Sequence, residues 1–219
     1  MQSRSRNTAK LTGATTNNVT RQFVYDRFLA RLFTHVPDGT WVLKGGTALL
    51  ARVRSARHSR DIDLFRSAGD PEVLYPEPTI SLPGLHSPPY QLYPVADHIA
   101  DKVCATIERH GPLLLPSSRV RDLVDLVVIA RTQRVAADAL REAITAESLH
   151  RELDPITRWA CPDEWAGTYP KLAQDVAKCR DHRAFSQASA LVAAFLDPVL
   201  SGELTAGTWD PERLSGATT

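Results

Sequence analysis

Two neighbouring runs, Lys44-Gly45-Gly46-Thr47-Ala48-Leu49 and Ser59-Arg60-Asp61-Ile62-Asp63-Leu64, constrain this chain more than any other part of it. Glycine lets backbone approach an anion closely, and Thr47 to Val53 reads as a short helix whose first N–H groups face that anion. In an extended strand side chains alternate faces, so a strand over Asp61 to Phe65 puts Asp61 and Asp63 on one side and Ile62 and Leu64 in the core. Two carboxylates on one face call for a cation. A nucleotide with a divalent metal uses both halves. Each half alone is common, since a Gly-Gly pair is usually a turn and a bare DxD usually a solvated loop or strand end. Their combination is more specific. The apolar strand Trp41-Val42-Leu43 leads into the glycines, the glycines open a helix, and Ser59 stands two residues before the first acid.

The stretch GGTALLARVRSARHSRDIDLF resembles the first motif of the AbiEii/MenT family of nucleotidyltransferase toxins, a branch of the polymerase-beta-like superfamily. That superfamily usually has Gly-Ser where this chain has Gly46-Thr47, and the hydroxyl is kept. Tyr93 to Ala105 resembles the family segment in which a helical lysine reaches the active site. On periodicity alone Val95, Ile99, Val103 and Ile107 form an apolar stripe, and Lys102, Thr106 and Arg109 share a different face, where Lys102 reads as a solvated lysine. The resemblance turns Lys102 into a site residue. Arg119 to Leu126 resembles the motif RxKDxxDL with arginine in place of lysine. Asp122 and Asp125 fall one helical turn apart. Asp122 also suits a helix N-terminus, and Asp125 a pairing with Arg121 or a neighbouring helix. By resemblance Asp122 belongs to the site and Asp125 is mainly architectural.

The resemblance implies metal-assisted transfer of a nucleoside monophosphate from a nucleoside triphosphate to a hydroxyl, with release of pyrophosphate. Asp61 and Asp63 would hold one or two Mg2+ ions. Gly45, Gly46, Thr47 and Ser59 would contact the triphosphate, Lys102 would neutralise charge on phosphate oxygens, and Asp122 would position the metal, the nucleotide or the hydroxyl. The implied acceptor is the 3' end of tRNA, extended with CMP or UMP from CTP or UTP, so that aminoacylation and translation stop. A cognate antitoxin is implied too, acting by binding or by modifying Ser59 or Thr47, where a phosphate would set about two negative charges beside the carboxylates. Two other functions remain open: nucleotidyl transfer to a small molecule or protein, and a catalytically silent module that binds a partner.

The remaining sequence sets the frame. A net charge of +1 announces no nucleic-acid binder. Arg52, Arg54, Arg57, His58, Arg60 and Arg66 nonetheless crowd the metal motif, where they could grip a triphosphate or a polynucleotide. No apolar run approaches the roughly 20 residues of a membrane span, so a soluble, cytoplasmic protein is expected. Cys104, Cys161 and Cys179 are odd in number and far apart, which argues against disulfides or zinc. The resemblance implies an α+β fold class, with a nucleotidyltransferase-like small mixed sheet and helices, and the pattern after Pro94 adds an α-helical lobe. Residues 1–14 read as a flexible basic tail, 15–94 as a nucleotidyltransferase-like α/β lobe, and 95–219 as a helical lobe carrying Lys102 and Asp122. Helices are predicted from a cap at Asn17 or Asn18 to His35, then over 95–110, 118–132, 134–146, 163–178 and 183–198, with Pro155, Pro162 and Pro198 as boundaries. Extended pieces are predicted near 78–82 and 90–93 in a loop-rich edge. The tryptophans at 159, 165 and 209 read as packing residues, although an exposed one could stack a base.

Overall fold

The computed structural model describes residues 2–36, 40–66 and 70–217. Met1 of the expected tail and Thr218 and Thr219 of the expected helical lobe lie outside them. The fold is α+β. Two compact units divide the chain: one carries it through Arg54 and again over His58–Pro94, the other takes Ser55–Arg57 and the chain from Val95 onward.

The first unit begins with helix where a flexible tail was expected. Helix α1 (Gln2–Thr12) buries Ser5 and Ala9, two small residues one turn apart that let it approach its neighbours closely. Ala9 packs with Val19 and Ile80, and Arg4 donates to the Ser81 carbonyl at 3.0 Å. The local pattern missed this because the helix is short of apolar residues and its partners lie far along the chain. Helix α2 (Thr16–His35) is capped two to three residues before the predicted asparagines, by Thr15, whose hydroxyl accepts from the Asn18 N–H at 3.2 Å.

Four short strands follow, β1 (Trp41–Lys44), β2 (Asp63–Arg66), β3 (Glu72–Leu74) and β4 (Tyr90–Leu92), with the helix α3 (Gly45–Arg52) leaving β1 directly. The sheet order is β2-β1-β4-β3, and it is mixed as expected: β1 runs antiparallel to β2 and parallel to β4, and β3 runs antiparallel to β4. Strand β3 was not foreseen, and the predicted piece at 78–82 is irregular. Leu29, Phe33, Leu43, Ala48, Tyr90 and Leu92 form the core, and Ile62 and Leu64 pack on it. Strand β2 starts at Asp63, so Asp61 sits in the bend before it and not within a strand. The inward placement of Ile62 and Leu64 holds, while strand alternation does not place Asp61.

The second unit contains α4 (Val95–Ile107), α5 (Val120–Ala130), α6 (Ala137–His150), α7 (Tyr169–Ala173) and α8 (Phe185–Leu200), with α4 against α6 and α5 against α8. Helix α5 is buried at every position except Arg121, as befits a central helix apolar nearly all round. The predicted 163–178 helix is instead a 3-10 turn at Asp163–Gly167, α7, and a second 3-10 turn at Ala177–His182. Gly167 and Pro170 interrupt what periodicity alone would join. Helix α8 runs two residues past Pro198, whose ring is tolerated in the last turn. Three short strands not foreseen, β5 (Val135–Ala136), β6 (Thr208–Asp210) and β7 (Ser215–Ala217), form an antiparallel sheet. Trp159, Trp165 and Trp209 are all buried. Trp165 donates to the Ser117 carbonyl and Trp209 to the Ala130 carbonyl, both at 2.8 Å, and Trp209 stacks obliquely on Phe195 with centroids 4.8 Å apart. Among the described residues no helix is long and apolar enough to cross a membrane.

Replacing buried Ala9 by Asp should free α1, because a carboxylate cannot enter the contact with Val19 and Ile80 unpaired. Amide exchange over residues 2–12 should then accelerate by about tenfold or more, with exchange in α5 unchanged.

Candidate active site

The glycine pair does more than make room for an anion. Gly45 has φ +68°, a left-handed conformation that costs a side-chain-bearing residue roughly 1 kcal/mol or more. A Cβ on Gly45 would also overlap the carboxylate of Asp63. The hydrogen of Gly45 is therefore required twice, once for the turn from β1 into α3 and once for Asp63. Register explains the encounter, since Lys44 at the end of β1 stands directly opposite Asp63 at the start of β2. The Asp63 carboxylate consequently lies against the first residue of α3, beside a helix start whose leading N–H groups have no partner within the helix.

Asp61 is placed by hydroxyls. Thr47, 1 % exposed in the first turn of α3, donates its Oγ1 to the Asp61 carbonyl at 2.6 Å. Ser59, also buried, donates its Oγ to Asp61 Oδ1 at 2.6 Å. The Thr47 bond ties the bend to the helix start, and the Ser59 bond orients the carboxylate. Gly46 is buried in the same turn, whereas Asp61 and Asp63 themselves are exposed. Beside them Lys44 Nζ stands 5.6 Å from the Phe65 ring centre and 5.7 Å from that of Tyr93. Lys44 precedes the glycine motif directly, but its aromatic neighbours come from two other elements, so sequence reasoning gave it no role.

A carboxylate keeps about four lone-pair sites, so the single hydroxyl on Asp61 leaves it able to bind a cation. Magnesium takes one or two protein carboxylates and completes its shell with phosphate oxygens and water. The donor set of Asp61 and Asp63 fits that chemistry. Among the described residues no cluster of three or more His, Cys, Asp or Glu offers an alternative cage.

Three of the five arginines crowding the motif, Arg52, Arg54 and Arg57, pair with carboxylates of the protein. Arg52 binds Glu72 and donates to the Tyr93 carbonyl at 2.8 Å. Arg54 pairs with Glu77 at 2.7 Å, and Arg57 with Asp125 at 2.8 Å. Arg60 and Arg66 are exposed. His58 is half-buried, and burial first, then the positive charge of Arg21, holds its imidazole below the usual histidine value.

In the helical unit Lys102 and Asp122 meet, with Asp125 between them and Arg57. Lys102 Nζ donates to Asp122 Oδ1 at 2.9 Å and to Asp125 Oδ2 at 2.7 Å, and the lysine is 2 % exposed. It is not a solvated lysine, because the face it shares with Thr106 is buried as well. Arg57 grips Asp125 through both Nε and Nη2 at 2.8 Å, and Arg119 Nε bonds Asp122 Oδ2 at 2.6 Å. Burial opposes a charge on Lys102, and the attraction of Asp125 and Asp122 outweighs it, so the ammonium is held above the usual lysine value. Asp125, fully buried, pairs with a neighbouring helix, one of the two expected alternatives, through Lys102 of α4, and with Arg57, rather than with Arg121. Nothing local signalled this, for the three residues come from three separate segments. The cysteines are free, and Cys104 and Cys179 are buried; Cys104 contacts the Ser148 hydroxyl at 3.5 Å and has no role in this network.

A small mixed sheet in which a strand runs through a left-handed glycine into a short helix, beside two exposed carboxylates, has a nucleotidyltransferase-like fold. The chain matches the family model described as nucleotidyl transferase AbiEii toxin, Type IV TA system, over residues 27–75 and 66–213, and it belongs to that family. No curated protein matches it.

Replacing Lys102 by Met should destabilise the helical unit by about 3 kcal/mol, the lower end for a broken buried pair, because Arg57 and Arg119 remain on the two aspartates. Since the folded lysine titrates above its unfolded value of about 10.4, its contribution is complete below that pH and is lost as pH rises through the folded value. Urea titrations should therefore give a constant difference between wild type and Lys102→Met from pH 7 to about 10, shrinking beyond.

Proposed function

We propose that this chain is a toxin that transfers nucleoside monophosphates, CMP or UMP, from CTP or UTP to the 3' end of tRNA, so that the tRNA can no longer be aminoacylated and translation stops. The observation that carries the reading is the convergence of Gly45, Thr47, Ser59, Asp61 and Asp63 on the first turn of α3, in a chain of the AbiEii family. The acceptor and the pyrimidine preference come from the resemblance of the three motifs to the AbiEii/MenT toxins. A cytoplasmic setting follows from that role.

Asp61 and Asp63 would hold Mg2+, which when bound polarises the α-phosphate and lowers the pKa of the attacking hydroxyl. The N–H groups of Gly45, Gly46 and Thr47 at the helix start would receive phosphate oxygens. The Thr47 hydroxyl acts indirectly in this reading, by fixing the Asp61 backbone. Ser59 keeps the Asp61 carboxylate turned for use. Lys102 would counter the charge that develops on phosphate, with two of its three N–H donors on Asp122 and Asp125. Asp122 would act through Lys102, holding the ammonium in place.

The same geometry suggests how a cognate antitoxin acts. A phosphate on Ser59 would break its bond to Asp61 and set about two negative charges beside that carboxylate, which opposes both nucleotide and metal. Thr47 is the second candidate, where modification would detach the bend from α3.

The test is incubation with total RNA and each of the four α-labelled nucleoside triphosphates in Mg2+. Label should pass from CTP or UTP to tRNA 3' ends, and Asp61→Ala should lower the rate by about a thousandfold, the scale of losing one principal electrostatic group. Label on protein or a small molecule alone would contradict the tRNA acceptor, and an unaltered rate in Asp61→Ala would contradict the site.

A further inference from the structure

The α/β unit has a second recess, mainly apolar, away from the glycine end of α3. A cavity of about 130 Å3 opens between α1, α2, the C-terminal half of α3 and residues 76–79. An engineered cavity of roughly 150 Å3 accepts benzene, so a single ring fits this volume. Ala14, Val19, Leu50 and Ala51 supply apolar wall.

Of two buried polar groups on that wall, one has no hydrogen-bond partner and the other is bonded by neutral donors only. Tyr90 is 2 % exposed, and its hydroxyl has no hydrogen-bond partner. Asp26 is 6 % exposed and accepts from Gln22 Nε2 at 3.1 Å and from the Thr79 N–H at 3.0 Å. Both donors are neutral amides. A buried carboxylate is ordinarily matched by a cation, and a buried phenol by a hydrogen bond, because each is otherwise costly to remove from water. Here both shortfalls border the same space. A carboxylate accepts only, and a phenol oxygen accepts or donates, so the occupant that satisfies both presents N–H groups. Arg54 and Glu77 on the same wall pair with each other at 2.7 Å, and burial holds the His58 imidazole below its usual value, so the charge left facing the space is that of Asp26, which disfavours an anion.

We propose that this cavity binds a small flat ligand with an apolar ring and an amidine-type edge, whose N–H groups bond Asp26 and the Tyr90 hydroxyl. The ring lies against Val19, Leu50 and Ala51. This site takes no part in the reading of Gly45, Asp61 and Asp63, and it stands or falls separately.

The probe is benzamidine, titrated calorimetrically into the full chain, with benzoate as the anionic control. Benzamidine should bind at one site with Kd below about 1 mM, and benzoate should not bind. Tyr90→Phe removes only an unbonded hydroxyl, so the protein should fold as before and bind benzamidine at least about fivefold more weakly, the scale of one lost hydrogen bond. Asp26→Asn should abolish binding; should it unfold through loss of the Thr79 contact, Tyr90→Phe carries the test alone. Absence of saturable benzamidine binding, equal binding of benzoate, or unchanged affinity in Tyr90→Phe would overturn the proposal.

Discussion

The site in the α/β unit depends on a missing side chain. Because Gly45 has only hydrogen where other residues carry Cβ, β1 can turn into α3 through a left-handed residue, and the Asp63 carboxylate can rest against the helix start. With Asp63 there, the start of β2 is fixed in register against Lys44. The bend just before it then falls within reach of Thr47 and Ser59, which fix the backbone and the carboxylate of Asp61. Two carboxylates are thus held beside oriented backbone N–H groups by contacts that span only one helix turn and one bend. Such fixed polar groups would favour charge stabilisation in the proposed reaction, because little reorganisation would be needed on binding an anion and a cation.

The helical unit applies a different economy of charge. Lys102 is removed from water almost entirely, a condition that is tolerable because two aspartates meet it and two arginines meet the aspartates. Buried ionic sets of this kind contribute less to net stability than to a unique geometry. Here the geometry joins three segments, Ser55–Arg57, α4 and α5, and Asp125 is the atom-level junction, with one oxygen on Arg57 and the other shared by Arg57 and Lys102. The fully buried Asp125 is architectural in the strict sense that removing it would take a carboxylate partner from both Arg57 and Lys102.

Features set by near neighbours in the chain were legible in the sequence. The glycine pair, the helix after it, and the inward Ile62 and Leu64 all follow from residues within about twenty positions, and the helical second lobe from the shift to helical periodicity after Pro94, while the small mixed sheet was implied by the family resemblance. What escaped depends on distant partners. Asp125 could not be matched to Arg57, 68 positions away, nor α1 to Ile80, since its own pattern carries almost no apolar signal. The strands near the C-terminus are three residues each, too short for alternation to register. Asp61 is instructive in another way: its orientation was expected from strand alternation, yet it lies in a bend where two hydroxyls fix its carbonyl and carboxylate.

The most direct measurement is Mg2+-dependent binding of CTP and UTP to Gly45→Ala, compared with wild type by calorimetry. An added methyl strains the left-handed turn and displaces Asp63, so binding should weaken by about a hundredfold, as expected when site groups move by about 1 Å, while the helical unit unfolds as in wild type. Wild-type nucleotide affinity in Gly45→Ala would contradict the account.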